Sequence, residues 1–472
     1  MKSSVWIKSL ACGAVLTLTA CVPTVRPTAP ELSRTPVGEP PPSTIDLTIS
    51  VPVKPMLDAA ETSIPSSLSA REYVEFFGTG GPNRPNCGIG CGYEVTRSPL
   101  SFDSHQNEIT GNLSFSYWLS CRKRIPCRGR LVSASCGKTE PRRRASESLT
   151  TQINTLPTWT AMATTKSNGV VAQDQCAMGS LGAVNLTDKL VAGFAGLGKA
   201  LDGRLNQGLS GLRSKAASAW QVLSNPIQID ADTWLQVRPR KVAISGIQTS
   251  TEGLQLAAVV SAHPVANIGG RPPTAETPLP DVTSDATQAA MFEVYVPVKA
   301  DYSAVEAALK ENLKISSGGV HYPPTGKHYV RTSDVTLSAY GQKAVFRVEL
   351  RGLAKGYAYF IGTPAFDTST NLLSFPDLDY APDTKRLVLE SLQWVDQGAL
   401  LQDLKNRLVV DLTDPLTHAK SKLLEALNHA YGDVQLAGSL PTLNLVSVYT
   451  DSQKGQFVAY FSMGGAVKAT IQ

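Results

Sequence analysis

Two stretches of the chain share one pattern of alternating hydrophobic and polar residues. In Ile45 to Ile64, branched apolar residues alternate with polar ones up to the sequence Val-Pro-Val-Lys, and Phe292 to Leu313 repeats this arrangement. Alternation with a period of two is typical of half-buried β-strands, and the apolar spacing that follows is typical of a short amphipathic helix. Ser303 followed by Glu306 is a capping-box signature for the second helix. We therefore expect a strand followed by a short helix in each half.

A second pair of segments, Arg238 to Val259 and Leu440 to Phe461, aligns without a gap. Both have a strand-turn-strand pattern, with the same Pro, Ser, Ser and Gly at matching positions. Because turn residues recur in unrelated hairpins, coincidence is the alternative explanation. The first half holds extra residues between these landmarks, and they contain all six cysteines that follow Cys21. A cysteine-bearing insertion in one of two repeats accounts for both observations.

Each half also has a long stripe of leucines three or four residues apart, which predicts an amphipathic helix. The stripes lie in Asn185 to Leu223 and in Gly398 to Asn428, where Asp414-Pro415 is expected to kink or restart the helix. The order strand, short helix, several strands, long helix, hairpin thus occurs twice. We predict an α+β fold of two tandem pseudo-repeat domains. Their predicted bounds are residues 44–265, with a basic cysteine-rich insert at about 79–144, a Pro- and Gly-rich linker at 266–289, and residues 290–472.

The first 21 residues have the pattern of a lipoprotein signal. Lys2 and Lys8 flank the start, an apolar run follows, and Leu-Thr-Ala-Cys closes it, so residues 1–20 are predicted to be removed and Cys21 to be acylated. The alternative is an ordinary signal peptide with a fortuitous cysteine. Val22 stands where similar lipoproteins retained at the inner membrane usually carry aspartate, so we expect an outer-membrane lipoprotein facing the periplasm.

Residues 21–43 are proline-rich without apolar periodicity, which predicts an extended, semi-rigid tether. Over the whole chain, 42% of the residues are hydrophobic and 18% are charged, and the length is sufficient for two domains with hydrophobic cores. No segment after Cys21 is long and apolar enough to span a bilayer, so we expect a body anchored only through its N-terminus. Removal of the signal with Lys2 and Lys8 would lower the net charge from +5 to +3, which is too mild to favour nucleic acid as a partner, and export argues against it independently.

Six cysteines in an oxidising compartment favour up to three disulfides, with connectivity left open. The alternative, a zinc or redox site, lacks CxxC spacing and an accompanying histidine cluster, so no metal is predicted. The disulfide candidates are Cys87, Cys91, Cys121, Cys127, Cys136 and Cys176.

The same insert is the most basic part of the chain, and its Arg142, Arg143 and Arg144 are candidates for contacts with an anionic partner such as lipid headgroups or cell wall. A solvated strand face and loop is the alternative interpretation. No catalytic constellation or dinucleotide-binding fingerprint is present, so we expect a protein that is not an enzyme and needs no cofactor.

The lipobox, the proline-rich tether, the strand ending in Val-Pro-Val and the two unequal repeats together resemble an uncharacterised family of bacterial lipoproteins, domain of unknown function 4403. That family is grouped with tubular lipid-binding proteins related to bactericidal/permeability-increasing protein. The resemblance covers Ile45 to about Val467. It implies a highly twisted antiparallel sheet wrapped around a long helix in each half, enclosing an apolar tube or groove.

This resemblance implies a carrier or sensor of envelope lipids or other amphiphiles. A solid core would show the same leucine stripes as a hollow tube, so both interpretations stay open. The alternative function is a non-enzymatic envelope scaffold that binds cell wall or a partner protein through the basic insert. The candidates for lining a lipid site are Leu197, Leu201, Leu205, Leu404, Leu408 and Leu412.

Overall fold

The computed structural model describes residues 24–77, 89–125, 130–174, 176, 196–274, 277–283, 291–322, 329–391, 397–451 and 453–471. The chain forms two compact units. The smaller unit comprises Met1–Gly38, Pro297–Lys420 and Leu443–Ser462, and the larger unit comprises Glu39–Val296, Ser421–Thr442 and Met463–Gln472. Each unit therefore takes segments from both halves of the sequence.

The protein has a mixed α+β fold, mostly strands in twisted sheets with few helices, which confirms the predicted class. The tandem repeat arrangement stays a prediction. The helices are α1 (Lys54–Ser63), α2 (Gly196–Leu209), α3 (Leu212–Ser224), α4 (Tyr302–Asn312), α5 (Pro382–Ser391), α6 (Gln397–Arg407) and α7 (Thr413–Leu427).

The strands, in chain order, are β1 (Thr24–Val25), β2 (Ser43–Pro52), β3 (Ser67–Phe77), β4 (Ile89–Arg97), β5 (Ser101–His105), β6 (Glu108–Ile125), β7 (Arg130–Cys136), β8 (Arg143–Leu156), β9 (Thr160–Ala172), β10 (Ile227–Asp230), β11 (Thr233–Gln236), β12 (Pro239–Thr249), β13 (Gly253–Ala262), β14 (Val265–Ile268), β15 (Phe292–Asp301), β16 (His321–Tyr322), β17 (Val330–Gly341), β18 (Ala344–Gly352), β19 (Lys355–Gly362), β20 (Ala365–Asp367), β21 (Leu372–Ser374), β22 (Asp379–Tyr380), β23 (Val410–Asp411), β24 (Ala430–Tyr431), β25 (Val434–Asp451) and β26 (Gln456–Ile471).

The larger unit contains a seven-stranded antiparallel sheet in the order β3-β4-β6-β8-β9, with β5 and β7 also paired to β6. Strand β6 explains why the sheet has one buried face. Its residues Leu113, Phe115, Tyr117, Leu119 and Cys121 alternate with polar ones and are at most 3% exposed. Because strand side chains alternate between faces, this spacing places all five in one core.

A second group of strands in the larger unit is built around β2. Strand β2 pairs antiparallel with β13, from Ser43 against Ala262 to Pro52 against Gly253, and parallel with β26 at residues 46–49. Its apolar residues are buried, as the alternation predicts. The parallel pairing with β26 explains why the end of the chain groups with the larger unit.

Helix α2 packs against β9, which is an edge strand of the seven-stranded sheet. The Asn206 side chain braces this edge. Its Oδ1 accepts a hydrogen bond from the Ala163 backbone N–H at 2.7 Å, and its Nδ2 donates to the Ala163 carbonyl at 3.1 Å. One side-chain amide thus satisfies the two groups that a neighbouring strand would otherwise engage.

Replacing Asn206 with alanine is expected to lower the free energy of unfolding by about 1–3 kcal/mol, because both Ala163 backbone groups lose their partner in a half-buried place. Urea unfolding followed by far-UV circular dichroism measures the change. The neighbouring exposed residue provides the control, and Gln207→Ala is expected to stay within about 0.5 kcal/mol of the parent. Equal midpoints for the two variants would contradict the bracing role.

The smaller unit contains an antiparallel sheet of β17, β18 and β19, with β16 on β17 and β22 on β19. Strand β1 pairs with β19 in parallel. A separate small sheet has the order β20-β21-β23. Aromatic packing fills the core, with Phe346 edge-on to Phe375 at 4.7 Å between ring centroids and Phe360 4.9 Å from Tyr380.

The predicted long helices are shorter in the structure. The stripe from Asn185 to Leu223 is divided into α2 and α3 near Ser210 and Gly211, and its residues before 196 lie outside the described part. The second stripe is divided into α6 and α7 by the two-residue strand β23, and α7 restarts at Thr413, whose N–H donates to Asp411 at 2.8 Å. The described helices are therefore pairs of shorter ones. None of them is long and apolar enough to cross a membrane.

Both segments predicted as connections are packed where they are described. Strand β14 continues into the predicted linker and pairs there with β11, and Trp159 donates to the Pro280 carbonyl. In the predicted tether, β1 is a paired strand. Hydrogen bonds to residues distant in sequence therefore order segments whose composition predicts extended, unpaired chain.

Candidate functional site

A pocket of about 510 Å³ lies in the larger unit between helix α3 and the chain that follows β14. It is lined by Ala217, Trp220, Gln221, Ser224, Asn225, Thr274, Thr277, Pro278 and Leu279. Pockets of about 300–1,000 Å³ are typical of small-molecule sites. The volume is therefore sufficient for part of an organic ligand.

Helix α3 forms one wall because its apolar residues recur three or four positions apart. Leu212, Ala216, Ala219 and Leu223 are at most 1% exposed and face the core. The adjoining face of α3, which carries Ala217 and Gln221, lines the pocket. Both of those side chains are exposed.

Trp220 joins the two walls of the pocket. Its ring is 5% exposed, and its indole N–H donates to the Thr277 carbonyl at 2.9 Å. The Ser224 hydroxyl donates to the Trp220 carbonyl at 2.7 Å and lies 3.5 Å from the Thr277 hydroxyl. The opposite wall is therefore fastened to α3 at its centre.

The chain beyond Thr277 is held by further hydrogen bonds to residues distant in sequence. The Trp159 indole N–H donates to the Pro280 carbonyl at 2.8 Å, and the Val282 N–H donates to the Pro157 carbonyl at 2.8 Å. Val282 is 8% exposed. These contacts fix residues 277–283 against the turn between β8 and β9, so hydrogen bonds within the protein hold the described walls of the pocket together.

The chemistry of the walls combines apolar surface with neutral hydrogen-bonding groups. Trp220, Pro278 and Leu279 supply the apolar part, whereas amide and hydroxyl side chains surround it. Among the described residues that line the pocket, every side chain is uncharged. The site therefore suits a neutral ligand with both an apolar and a polar part, because an ionic group would find no opposite charge there.

A family model with the description "Domain of unknown function (DUF4403)" matches residues 41–471. The chain belongs to this family. The match confirms the family that the sequence resembles. No curated protein matches the chain.

One solved structure similar to this DUF4403 chain is the crystal structure of a lipopolysaccharide binding protein. The match covers 91% of this chain and 99% of that one, at 11% sequence identity and a TM-score of 0.24. At such a TM-score the likeness carries no argument about ligand or mechanism.

The six leucines predicted to line a lipid site are all core residues in this DUF4403 structure. Each is at most 2% exposed, and none contributes to the Trp220 pocket. Three lie on α2, which packs against β9 and α1, and the others lie in or next to α6 and α7. Their role as ligand contacts stays a prediction. The six are Leu197, Leu201, Leu205, Leu404, Leu408 and Leu412.

The described residues form two disulfides, both in the larger unit. Cys91 bonds Cys121, its direct partner across β4 and β6, with 4.0 Å between Cα atoms, and Cys136 bonds Cys176 at 5.9 Å. All four sulfurs belong to one apolar cluster that includes Phe115 and Leu119. The remaining candidates, Cys87 and Cys127, lie outside the described residues, as does the predicted anchor Cys21.

The three candidate arginines each have a carboxylate partner. Arg142 contacts Glu94 at 2.5 Å, Arg143 contacts Glu140 at 2.6 Å, and Arg144 contacts Asp174 at 3.1 Å. The hydrogen bond from the Arg144 side chain lowers the pKa of the Asp174 carboxyl below its ordinary value. An anionic partner would therefore have to displace carboxylates that already neutralise these charges.

Sequence reasoning missed the pocket because it assigned residues 266–289 to a linker. One signal was available in the sequence. Trp220 lies in the predicted leucine stripe, and a buried indole N–H needs a hydrogen-bond acceptor, so another segment was to be expected next to it. Within the described ranges, no group of three or more His, Cys, Asp or Glu side chains is arranged to hold a metal ion.

Proposed function

We propose that this DUF4403 protein is an outer-membrane lipoprotein that binds a neutral amphiphile in the Trp220 pocket and acts as a carrier or sensor of envelope lipids. The observation that carries the proposal is the pocket itself, with an apolar wall, a neutral polar surround and walls fastened by Trp220 and Trp159. A preformed site binds without the entropic cost of ordering its walls.

The size of the pocket supports a ligand that places part of an acyl chain inside. Each methylene moved from water to an apolar environment contributes about 0.8 kcal/mol, so burial of about five gives roughly 4 kcal/mol before the cost of association. The Gln221 and Asn225 amides at the same pocket offer hydrogen bonds to an ester or hydroxyl headgroup.

Anchoring and compartment belong to the same proposal. Acylation at Cys21 would place the protein in the envelope, where an amphiphile in transit needs shielding from water. Binding without chemistry is sufficient for this role, and we propose no catalytic residue.

Native mass spectrometry of the full chain carrying Cys21→Ser, exported by a cleavable signal, tests the proposal. We expect a bound mass that extracts as a neutral lipid, or saturable binding of a fluorescent monoacylglycerol. A fluorescent fatty acid is expected to bind more weakly, because its carboxylate meets only uncharged side chains. A bare protein mass combined with no binding of either probe would refute the proposed function.

Filling the pocket should weaken binding without disturbing the fold. Ala217→Phe adds an aromatic ring at an exposed position of α3 that lines the pocket, so we expect the Kd for the fluorescent monoacylglycerol to rise at least about tenfold. Ser218→Phe adds the same ring at the next exposed position, which does not line the pocket, and should leave the Kd within about twofold. Equal Kd values for both variants would place the probe elsewhere.

A further inference from the structure

The N-terminal segment of the described chain is docked on the smaller unit. Thr24 pairs with Lys355 and Val25 with Gly356, in a parallel arrangement of β1 and β19. Val25 is 1% exposed, so its side chain is part of the core. The first described strand is therefore part of the packed core of the smaller unit.

Contacts continue along the segment. The Arg34 guanidinium lies 5.2 Å from the centroid of the Tyr340 ring, and the Tyr449 hydroxyl donates a hydrogen bond to the Thr35 carbonyl. Residues 24–35 are thus held at both ends. A segment whose composition predicts a free tether is therefore packed against the smaller unit.

The docked strand fixes how far the predicted lipid anchor lies from the body. Cys21 precedes Thr24 by three residues, and an extended chain spans at most about 3.5 Å per residue. An acyl group on Cys21 therefore holds β1 within about 10 Å of the lipid surface.

The surface next to β1 is rich in exposed basic side chains. Helix α5 contacts both β1 and β19. The carboxylates of Asp379 and Asp383 lie 3.3 and 3.9 Å from Lys385 and Arg386. Among the described side chains of the patch, four basic groups therefore face two carboxylates. Its exposed basic residues are Arg26, Lys355, Lys385 and Arg386.

We propose that β1, β19 and α5 form a membrane-contact surface that lies against anionic phospholipid headgroups when Cys21 is acylated. Basic residues near an anionic surface are attracted to it, and the short connection to Cys21 leaves the body little freedom to turn away. The inference rests on the proposed anchor and is independent of the Trp220 pocket.

Lysine labelling tests the proposal on the full acylated protein in vesicles of phosphatidylethanolamine and phosphatidylglycerol. A water-soluble amine reagent followed by peptide mass spectrometry reports every lysine at once. Relative to the Cys21→Ser chain in solution, we expect Lys355 and Lys385 to react several-fold more slowly. Unchanged rates for membrane-bound protein, or an N-terminal peptide without acyl mass, would overturn the proposal. Equal protection in phosphatidylcholine vesicles would overturn the part assigned to headgroup charge.

Two variants separate docking from anchoring. A flexible Gly-Ser segment inserted between Cys21 and Thr24 should keep the protein on the vesicles but restore the labelling of Lys355. Gly356→Ala should do the same, because a Cβ there would overlap the Val25 carbonyl and φ is +141°. Gly455→Ala is the control, with φ of +63° but open space around the added Cβ, and should retain protection. Protection that survives both test variants would refute the role of β1. Since no probe for the Trp220 pocket is involved, failure here leaves the proposed function separately testable.

Discussion

Replacing Arg97 with alanine is expected to lower the free energy of unfolding of the larger unit by about 3–5 kcal/mol. Arg97 stands at the end of β4, and its side chain is 2% exposed. Its Nη1 donates to Glu61 Oε1 at 2.7 Å, and Nη2 donates to the carbonyls of Glu61 and Ile64 at 3.1 and 2.9 Å. One guanidinium therefore satisfies both a carboxylate and the last carbonyls of α1.

The effect should be large because Arg97 itself is buried and its removal takes a donor from two carbonyls and from the Glu61 carboxylate, whose side chain is 31% exposed, at once. The last carbonyls of a helix have no hydrogen-bond donors within the helix. Helix α1 has no basic residue in its last turn that could donate to them. Of the described donors to the Glu61 carboxylate, the Leu100 N–H would remain, and it donates to Oε2 at 3.1 Å. Arg97→Lys retains the charge, but a lysine ammonium cannot donate to the carboxylate and both carbonyls in the geometry of the planar guanidinium. We therefore expect roughly half of the loss in unfolding free energy that Arg97→Ala causes.

The same helix provides the control for Arg97. Lys54 and Asp58 form an exposed ion pair at 3.9 Å, with side chains 56% and 66% exposed. Lys54→Ala should change the free energy of unfolding by no more than about 0.5 kcal/mol. Urea unfolding followed by tryptophan fluorescence compares the variants. If Arg97→Ala costs no more than Lys54→Ala, the network does not hold α1 in place.

Strands were predictable where alternation was sustained. In β6, apolar residues at every second position from Leu113 to Cys121 all lie in the core, because a strand has only two faces and one of them is buried. The strand β2 followed by α1 is similarly explained by local pattern. Such elements need no information from distant residues.

Helix ends were less predictable, because hydrophobic spacing does not report where a helix stops. The leucine spacing continues from α2 into α3 although the helix is interrupted near Gly211. At α4, the capping-box pattern pointed to Ser303, whereas Asp301 is the cap and accepts the Ser303 N–H at 2.8 Å. Both residue types are good caps, so composition alone does not choose between them.

Docked irregular segments were not predictable from local pattern. The Trp220 pocket depends on a hydrogen bond to Thr277, 57 residues away, and on one from Trp159 to Pro280, 121 residues away. Likewise, β1 pairs with residues more than 300 positions further along the chain. Proline-rich composition indicates that a segment forms no regular ladder, but it does not say whether other elements hold the segment.

Removing the Cys91–Cys121 disulfide is the other change with a large expected effect. The bond closes a segment of 30 residues, and loop-closure entropy for that length predicts a loss of about 3–4 kcal/mol when both cysteines become alanine. Both residues are fully buried in the apolar cluster next to Leu119, so the lost sulfurs also leave space in the core. Urea unfolding of the double variant measures the sum.

Reduction separates the two contributions, because it breaks the bond and keeps the sulfur atoms. In a Cys136→Ala/Cys176→Ala background, reductant breaks only Cys91–Cys121 among the described disulfides, and should lower the unfolding midpoint by the entropic part alone. A midpoint insensitive to reductant would mean that packing holds β4 against β6. Sensitivity would support the proposed export, because a protein that needs this bond for much of its stability requires a compartment that oxidises cysteines.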